Sequence, residues 1–190
     1  MLLKEFKKEL KGKYITLRKL TKSDIPTIKE IAMVEDLWKL IKAPDHNLSD
    51  FLLNFCDNMY QEMEKQNQFP YLVIENNTKQ IIGSTRFYDI SLINKRAAIG
   101  FTWYLPEAQG TKVNPEAKLL LLEFAFEKLN LNRIEFHIDS RNERSINAIK
   151  KLGAIQEGIL RKHKIVQGNF ARDTIIASII KTQWPKVKHN

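Results

Sequence analysis

The sequence predicts a single mixed α/β domain, and three observations carry that prediction. A chain of 190 residues suffices for one well-buried core and leaves little room for two. Apolar residues switch between period 2 and period 3.6, giving strand, two helices, three strands, helix, strand, helix, strand, strand, or about seven strands and four main helices. Residues 133–139 alternate cleanly, with Ile134, Phe136 and Ile138 on one face and Arg133, Glu135, His137 and Asp139 on the other. That is the pattern of a half-buried strand inside a strand–helix–strand–helix unit.

Residues 1–12 read as a short amphipathic lead-in, and 14–18 as the first strand. Capping residues at 21–24 precede Ile25, Ile28, Ile31 and Ala32 at helical spacing. Residues 37–41 form a short apolar piece ending at Pro44-Asp45. Ser49 is expected to cap a longer helix through about Gln66, with Phe51, Leu52, Phe55, Cys56, Met59 and Met63 on one face. Strands at 69–75, 80–90 and 96–105 are separated by turns at 76–79 and 91–95. The stretch 103–118 then runs from strand through a tight loop into a helix, where Asn114 is expected as N-cap and Pro115 as the first helical residue. That helix runs to 129. A second helix over 142–152 turns Ile146, Ile149 and Leu152 inward and stops at Gly153. Strands at 155–166 and 170–180 form a hairpin around Gln167-Gly168-Asn169, and Trp184-Pro185 opens a basic tail.

The net charge of +9 favours anionic partners: nucleic acid, a polyphosphate cofactor, an acidic protein surface or the ribosome. No basic arm or recognition helix stands out, so direct nucleic-acid binding is not expected. The single Cys56 excludes an internal disulfide, and no Cys/His cluster suggests zinc, so no metal is expected. The first residues lack the apolar core and cleavage site of a signal peptide, and no apolar run reaches ~18 residues. A cytoplasmic protein without a membrane span is the expectation. The loop Gln109-Gly110-Thr111-Lys112-Val113 before a helix N-terminus suits an anion, since free N–H groups and positive partial charge meet there and Lys112 adds a cation. A well-capped helix after a strand explains the same residues without a ligand.

The element order resembles the GNAT acetyltransferase superfamily, and three motifs strengthen the resemblance. Relatives carry a loop of the form Arg/Gln-x-x-Gly-x-Gly/Ala whose amides hold the pyrophosphate of acetyl-CoA. Here it reads Gln109-Gly110-Thr111-Lys112-Val113-Asn114, with Lys112 for the central glycine and Asn114 for the last. The run Ile99-Gly100-Phe101-Thr102-Trp103, with the loop behind it, is similar to the branch of ribosomal-protein N-terminal (alanine or serine) acetyltransferases. Asn142-x-x-Ser145-x-x-Ala148-Ile149-x-x-Leu152-Gly153, then Glu157-Gly158-x-Leu160-Arg161, resembles the segment that lines pantetheine and thioester. The likeness spans about residues 13–184.

The resemblance implies one N-acetyltransferase domain over residues 1–190: a mixed, mostly antiparallel GNAT sheet with splayed central strands. It implies direct transfer of acetyl from acetyl-CoA to a primary amine, with a protein or peptide N-terminus (ribosomal or other) ahead of a small amine such as a polyamine, amino sugar or antibiotic. A GNAT module that holds CoA without transfer stays open, because the family's glutamate before Ile-Gly is Ala98 here. Implied cofactor contacts are Phe101, Trp103, Tyr104, Leu105, Gln109, Gly110, Thr111, Lys112, Val113, Asn114, Asn142 and Ser145. Ser145 is the candidate proton donor to the thiolate, or else a helix-start serine satisfying a backbone N–H. His137 is the candidate base, oriented by Glu135 and Asp139, or else a structural histidine. Arg161, His163, Lys164, Arg172 and Asp173 of the hairpin are candidates to contact substrate or CoA phosphates, or else a solvated charged strand edge, and the resemblance implies acceptor loops around 33–48 and 159–172. The chain is expected as monomer or homodimer.

Overall fold

The computed structural model describes residues 6, 9–41, 47–166 and 169–189. The strands are β1 (Glu9–Lys11), β2 (Ile15–Lys19), β3 (Phe69–Glu75), β4 (Ile81–Ser91), β5 (Arg96–Tyr104), β6 (Arg133–Asp139), β7 (Ile155–Val166) and β8 (Phe170–Ile180). The helices are α1 (Ile25–Ile31), α2 (Leu48–Glu64), α3 (Val113–Glu123), α4 (Glu143–Leu152) and α5 (Trp184–Lys188). One eight-stranded sheet runs in the order β1-β2-β3-β4-β5-β6-β8-β7. Every neighbouring pair is antiparallel except β5–β6.

Two apolar clusters cover the two sheet faces. The larger joins Leu17, Tyr71, Phe87, Ile134, Phe136 and Ile179 of the sheet to α3, α4 and α5. The smaller packs Leu72 and Trp103 against α1, α2 and Trp38. Period-2 alternation sorts each strand between them: Tyr71 and Val73 face one cluster and Leu72 the other.

Five sequence expectations change in detail. Part of the lead-in is β1, an edge strand paired to β2 that adds an eighth strand. The long helix is capped by Asn47, whose side chain accepts from the N–H groups of Ser49 and Asp50 at 2.8 and 3.3 Å. Helix α3 begins at Val113, before Asn114, because Thr111 Oγ1 takes the Val113 N–H at 3.2 Å while donating to Ala108 O at 2.7 Å. It ends in a π-helical turn over Phe124–Lys128. The tail is a short docked helix, with Trp184 Nε1 donating to Glu127 at 2.8 Å and Lys188 Nζ bonded to Glu123 and Glu127. Pro44-Asp45 and the hairpin residues Gln167 and Gly168 lie outside the described residues.

Candidate active site

The site is built from a break in the sheet. Strands β5 and β6 pair only at Arg96–Arg133, Ala97–Ile134 and Ala98–Glu135. Beyond that, β5 continues to Tyr104 and β6 to Asp139 without pairing to each other. Their facing backbone groups are therefore not paired to each other, the splayed arrangement that the resemblance implies, and the one at His137 is met by the Tyr88 phenol. A β-bulge sharpens the departure: Phe101 and Thr102 together oppose Thr85 of β4, and Phe101 takes φ +49°. Such a backbone is uncommon for a bulky residue and costs about 1–3 kcal/mol.

Tyr88 marks the fork. Its ring lies over Gly100, where a Cβ would come within 2.9 Å of it, so only glycine lets the side chain cross β5. The ring reaches Phe101 and His137, with centroids at 5.1 and 5.8 Å. Burial holds its phenol well above its usual range, so it stays protonated.

At one mouth of the split, Gly110 has φ +76° and open space where a side chain would stand. The backbone amides of Gly110, Thr111, Lys112 and Asn114 have no acceptor among the described residues. They lie at the positive end of α3, a setting that suits an anion. The side chain of Gln109 is committed elsewhere, donating to Tyr104 O at 2.7 Å and accepting from Arg144. Asn114 accepts from Tyr104 Oη at 3.2 Å instead of capping the helix. Lys112 is exposed beside Tyr14, 3.4 Å from its hydroxyl. Glu116 ties the assembly to β2 by accepting the N–H groups of Lys13, Tyr14 and Ile15 at 2.7–2.9 Å. Trp103, Tyr104 and Val113 have buried side chains, and the Val113 N–H and Tyr104 carbonyl are already taken by Thr111 and Gln109.

At the other wall, Asn142 caps α4, its Oδ1 accepting the Ser145 N–H at 3.0 Å. Asn142 thus does the capping, and the half-buried Ser145 hydroxyl has no partner among the described residues. His137 is half-buried with Nε2 2.9 Å from Glu135. Burial raises the Glu135 pKa, but hydrogen bonds from Arg133 and His137 outweigh it and leave the carboxyl low. Of the two expected orienting acids, only Glu135 serves: Asp139 is held by Arg141 at 2.7–3.0 Å and lies 3.9 Å from Arg172. Asp89, Glu135 and His137 bring ligand-type atoms within 4.8 Å of one another, yet Arg96 pairs with Asp89 and Arg133 with Glu135. Arg161, Lys162 and His163 bulge opposite Asp173, and with it line a wide concavity on the β7–β8 hairpin.

Sequence reasoning missed three residues here. One is Tyr88. The second is Arg86, 1% exposed between the rings of Phe55 and Phe101. The third is Lys118, whose Nζ donates to Thr102 at 2.7 Å and Thr85 at 3.4 Å behind the bulge. The available signal was a lone charge inside an otherwise apolar helix or strand run.

Residues 15–155 match the family model of the acetyltransferase (GNAT) domain. The chain belongs to the GNAT acetyltransferase family. Members of this family use acetyl-CoA. Among curated relatives, the "Uncharacterized N-acetyltransferase p20" of Bacillus licheniformis is 32% identical over 62% of this chain and 64% of its own. The "Putative ribosomal N-acetyltransferase YdaF" of Bacillus subtilis is 29% identical over 55% and 56%. These matches therefore span less than two thirds of those relatives. The spermidine N(1)-acetyltransferase of Vibrio cholerae is 22% identical over 82% and 87%. A solved GCN5-related N-acetyltransferase from Brucella melitensis superposes with TM-score 0.85 at 22% identity, over 97% of this chain and 84% of that one. Mycobacterium smegmatis RimJ in complex with CoA-disulfide gives 0.77 at 19%, over 92% and 86%. The last two likenesses bear on fold alone. Among the described residues, no helix is long and apolar enough to cross a membrane.

Proposed function

We propose that this GNAT domain transfers acetyl from acetyl-CoA directly to a primary amine, with a protein or peptide N-terminus as acceptor. The observation that carries the reading is the open β5–β6 split with four uncommitted amides at 110–114 at its mouth. When bound, acetyl-CoA supplies an activated thioester. The amides of Gly110, Thr111, Lys112 and Asn114 hold the pyrophosphate, aided by the Lys112 ammonium and the α3 dipole. The side of β5 that has left β6 would line the pantetheine between Phe101 and Tyr104 and offer N–H groups where negative charge develops on the carbonyl oxygen. The Asn142 amide nitrogen donates along the same wall. His137, held by Glu135, accepts the amine proton, and the free Ser145 hydroxyl donates to the departing sulfur. The cytoplasm suits this chemistry, and residues 1–190 act as one unit.

A net charge of +9 repels polyamines and suits docking on an acidic or nucleoprotein surface, which favours the peptide amine. The spermidine-acetylating relative supports a small amine as the second reading. Screening CoA release against a peptide library and an amine panel separates the two. In the same assay Ser145→Ala lowers kcat about a hundredfold with folding unchanged. Near-normal turnover would remove Ser145 from the chemistry, and acetyl-CoA binding without CoA release on any amine would leave a non-catalytic module.

A further inference from the structure

The buried side-chain polar atoms that lack a partner among the described residues are Ser84 Oγ, Arg86 Nε and Nη2, Trp103 Nε1, Arg172 Nε and Thr174 Oγ1. They share one face of the sheet. Ser84 pairs with Leu72 and Trp103 of the smaller cluster, and Arg86 follows two residues on. Arg172 and Thr174 alternate with Ile175 and Ala177, which belong to the larger cluster on the opposite face. The α1–α2 side of the sheet therefore carries uncommitted donors on both sides of the split.

Arg86 is the extreme member. Only its Nη1 is bonded, to Gln68 Oε1 at 2.7 Å, and no carboxylate pairs with it among the described residues. Its guanidinium lies 5.1 Å from the Phe55 ring centroid and 4.4 Å from that of Phe101. Burial pushes its pKa down to about 9, so it is still a cation at neutral pH. A buried cation stacked on aromatic rings without a counter-ion is costly for the fold alone, and the cost is relieved when an anion arrives. The exposed Phe101, on its bulged backbone at the edge of the split, lies over the guanidinium. Arg172 also lies within electrostatic range of Tyr88, but Asp89 and Glu135 act on the same phenol with the opposite sign and Asp139 stands 3.9 Å from Arg172, so Arg86 is the cation left without a carboxylate among the described residues. A second cationic amine beside Arg86 would meet an unpaired cation unfavourably, and a carboxylate there would complete it.

We infer that Arg86 is a specificity-determining residue of the acceptor site and reads a carboxylate carried close to the amine that is acetylated. The inference rests on the acetyltransferase reading above. Two sources bring that chemistry: an acidic side chain next to a peptide N-terminus, or the α-carboxylate of a free amino acid. Phe101 is the cover that turns aside to admit either.

Steady-state kinetics on the full chain with acetyl-CoA test this with matched pairs. One arm compares peptides with Glu or Gln at the second residue, and the other compares alanine with alaninamide. The carboxylate member is expected to show a KM about tenfold lower in one arm, which names the source. Arg86→Gln is expected to erase the difference in KM between the two members of the pair, and Arg86→Lys to restore part of it. Equal KM values within both pairs overturn the inference, as does a preference that survives Arg86→Gln. Because the unsubstituted chain alone yields the first comparison, an Arg86→Gln chain that fails to fold does not shield the inference. Turnover with equal KM defeats the inference only, whereas no CoA release on any amine defeats the acetyltransferase reading and the inference with it.

Discussion

On the sheet face under α3, α4 and α5, the buried Lys118 has its needs met: its amine donates to Thr102 and Thr85, and those two hydroxyls lie 2.8 Å apart. On the opposite face, Ser84, Arg86, Trp103, Arg172 and Thr174 hold buried polar atoms that are unmatched among the described residues. The same strands supply both faces, so strand propensity does not explain the difference. What differs is use. One face packs α3, α4 and α5 on the sheet, and its polar intruder is hydrogen-bonded. The other borders the acceptor side of the split, where donors held without partners are ready to meet a substrate. Substitutions on the first face should therefore register in stability, and substitutions on the second in substrate choice.

The largest effect should come from Phe136→Ala. Phe136 is buried in the larger cluster, and a large-to-small change there costs about 3–5 kcal/mol. Chemical denaturation should show the loss directly, with CoA release falling only in proportion to the unfolded fraction. A kcat lost at full folding would mean that this face also serves catalysis, and the contrast between faces would break.

Lys118 gives a smaller effect with a definite pH signature. Burial pushes its amine down to about 7, against ~10.4 for an unperturbed lysine. Between those values the unfolded chain binds a proton that the folded chain does not, so stability rises with pH across this window. The slope from this one group is at most about 1.4 kcal/mol per pH unit. Lys118→Met should flatten that slope and stabilise the fold at neutral pH, since Thr85 and Thr102 still bond each other. Melting curves from pH 7 to pH 10 with an unchanged slope would show that Lys118 is not the group responsible.

The legible parts of the fold were those fixed by local pattern. Strand β6 and the β7–β8 pair fall where alternation placed them, and α4 stops at Gly153, which takes φ +100°. Strand β1 was not legible because its three residues carry one buried side chain, too short a pattern to read. Asn114 is not the cap of α3 because the helix already starts at Val113, whose N–H is met by the Thr111 hydroxyl two residues earlier, and propensity does not foresee that bond. Within the site, Asn142 and the glycine loop were readable as local motifs. Tyr88, Arg86 and Lys118 were not, because their roles come from register: Tyr88 needs Gly100 beneath it, and Lys118 needs Thr102 displaced by a bulge. A charged side chain in an apolar run is the trace such burial leaves in sequence.

Asn142 straddles the comparison, since it caps α4 and is also proposed to line the pantetheine wall. Asn142→Ala removes the acceptor for the Ser145 N–H, a loss of about 1 kcal/mol. In a chain of this size that lowers the melting temperature by about 2–4 °C. Asn142→Asp keeps an oxygen for the cap but gives up the amide donor and adds negative charge. Its melting temperature should return to that of the parent while KM for acetyl-CoA stays raised severalfold, because the wall has lost a donor and gained a repulsive charge. If Asn142→Asp recovers both quantities, Asn142 is a cap and nothing more, and the binding wall begins at Ser145. If neither recovers, the amide nitrogen supports the fold, and the division of labour between the two faces does not extend to this residue.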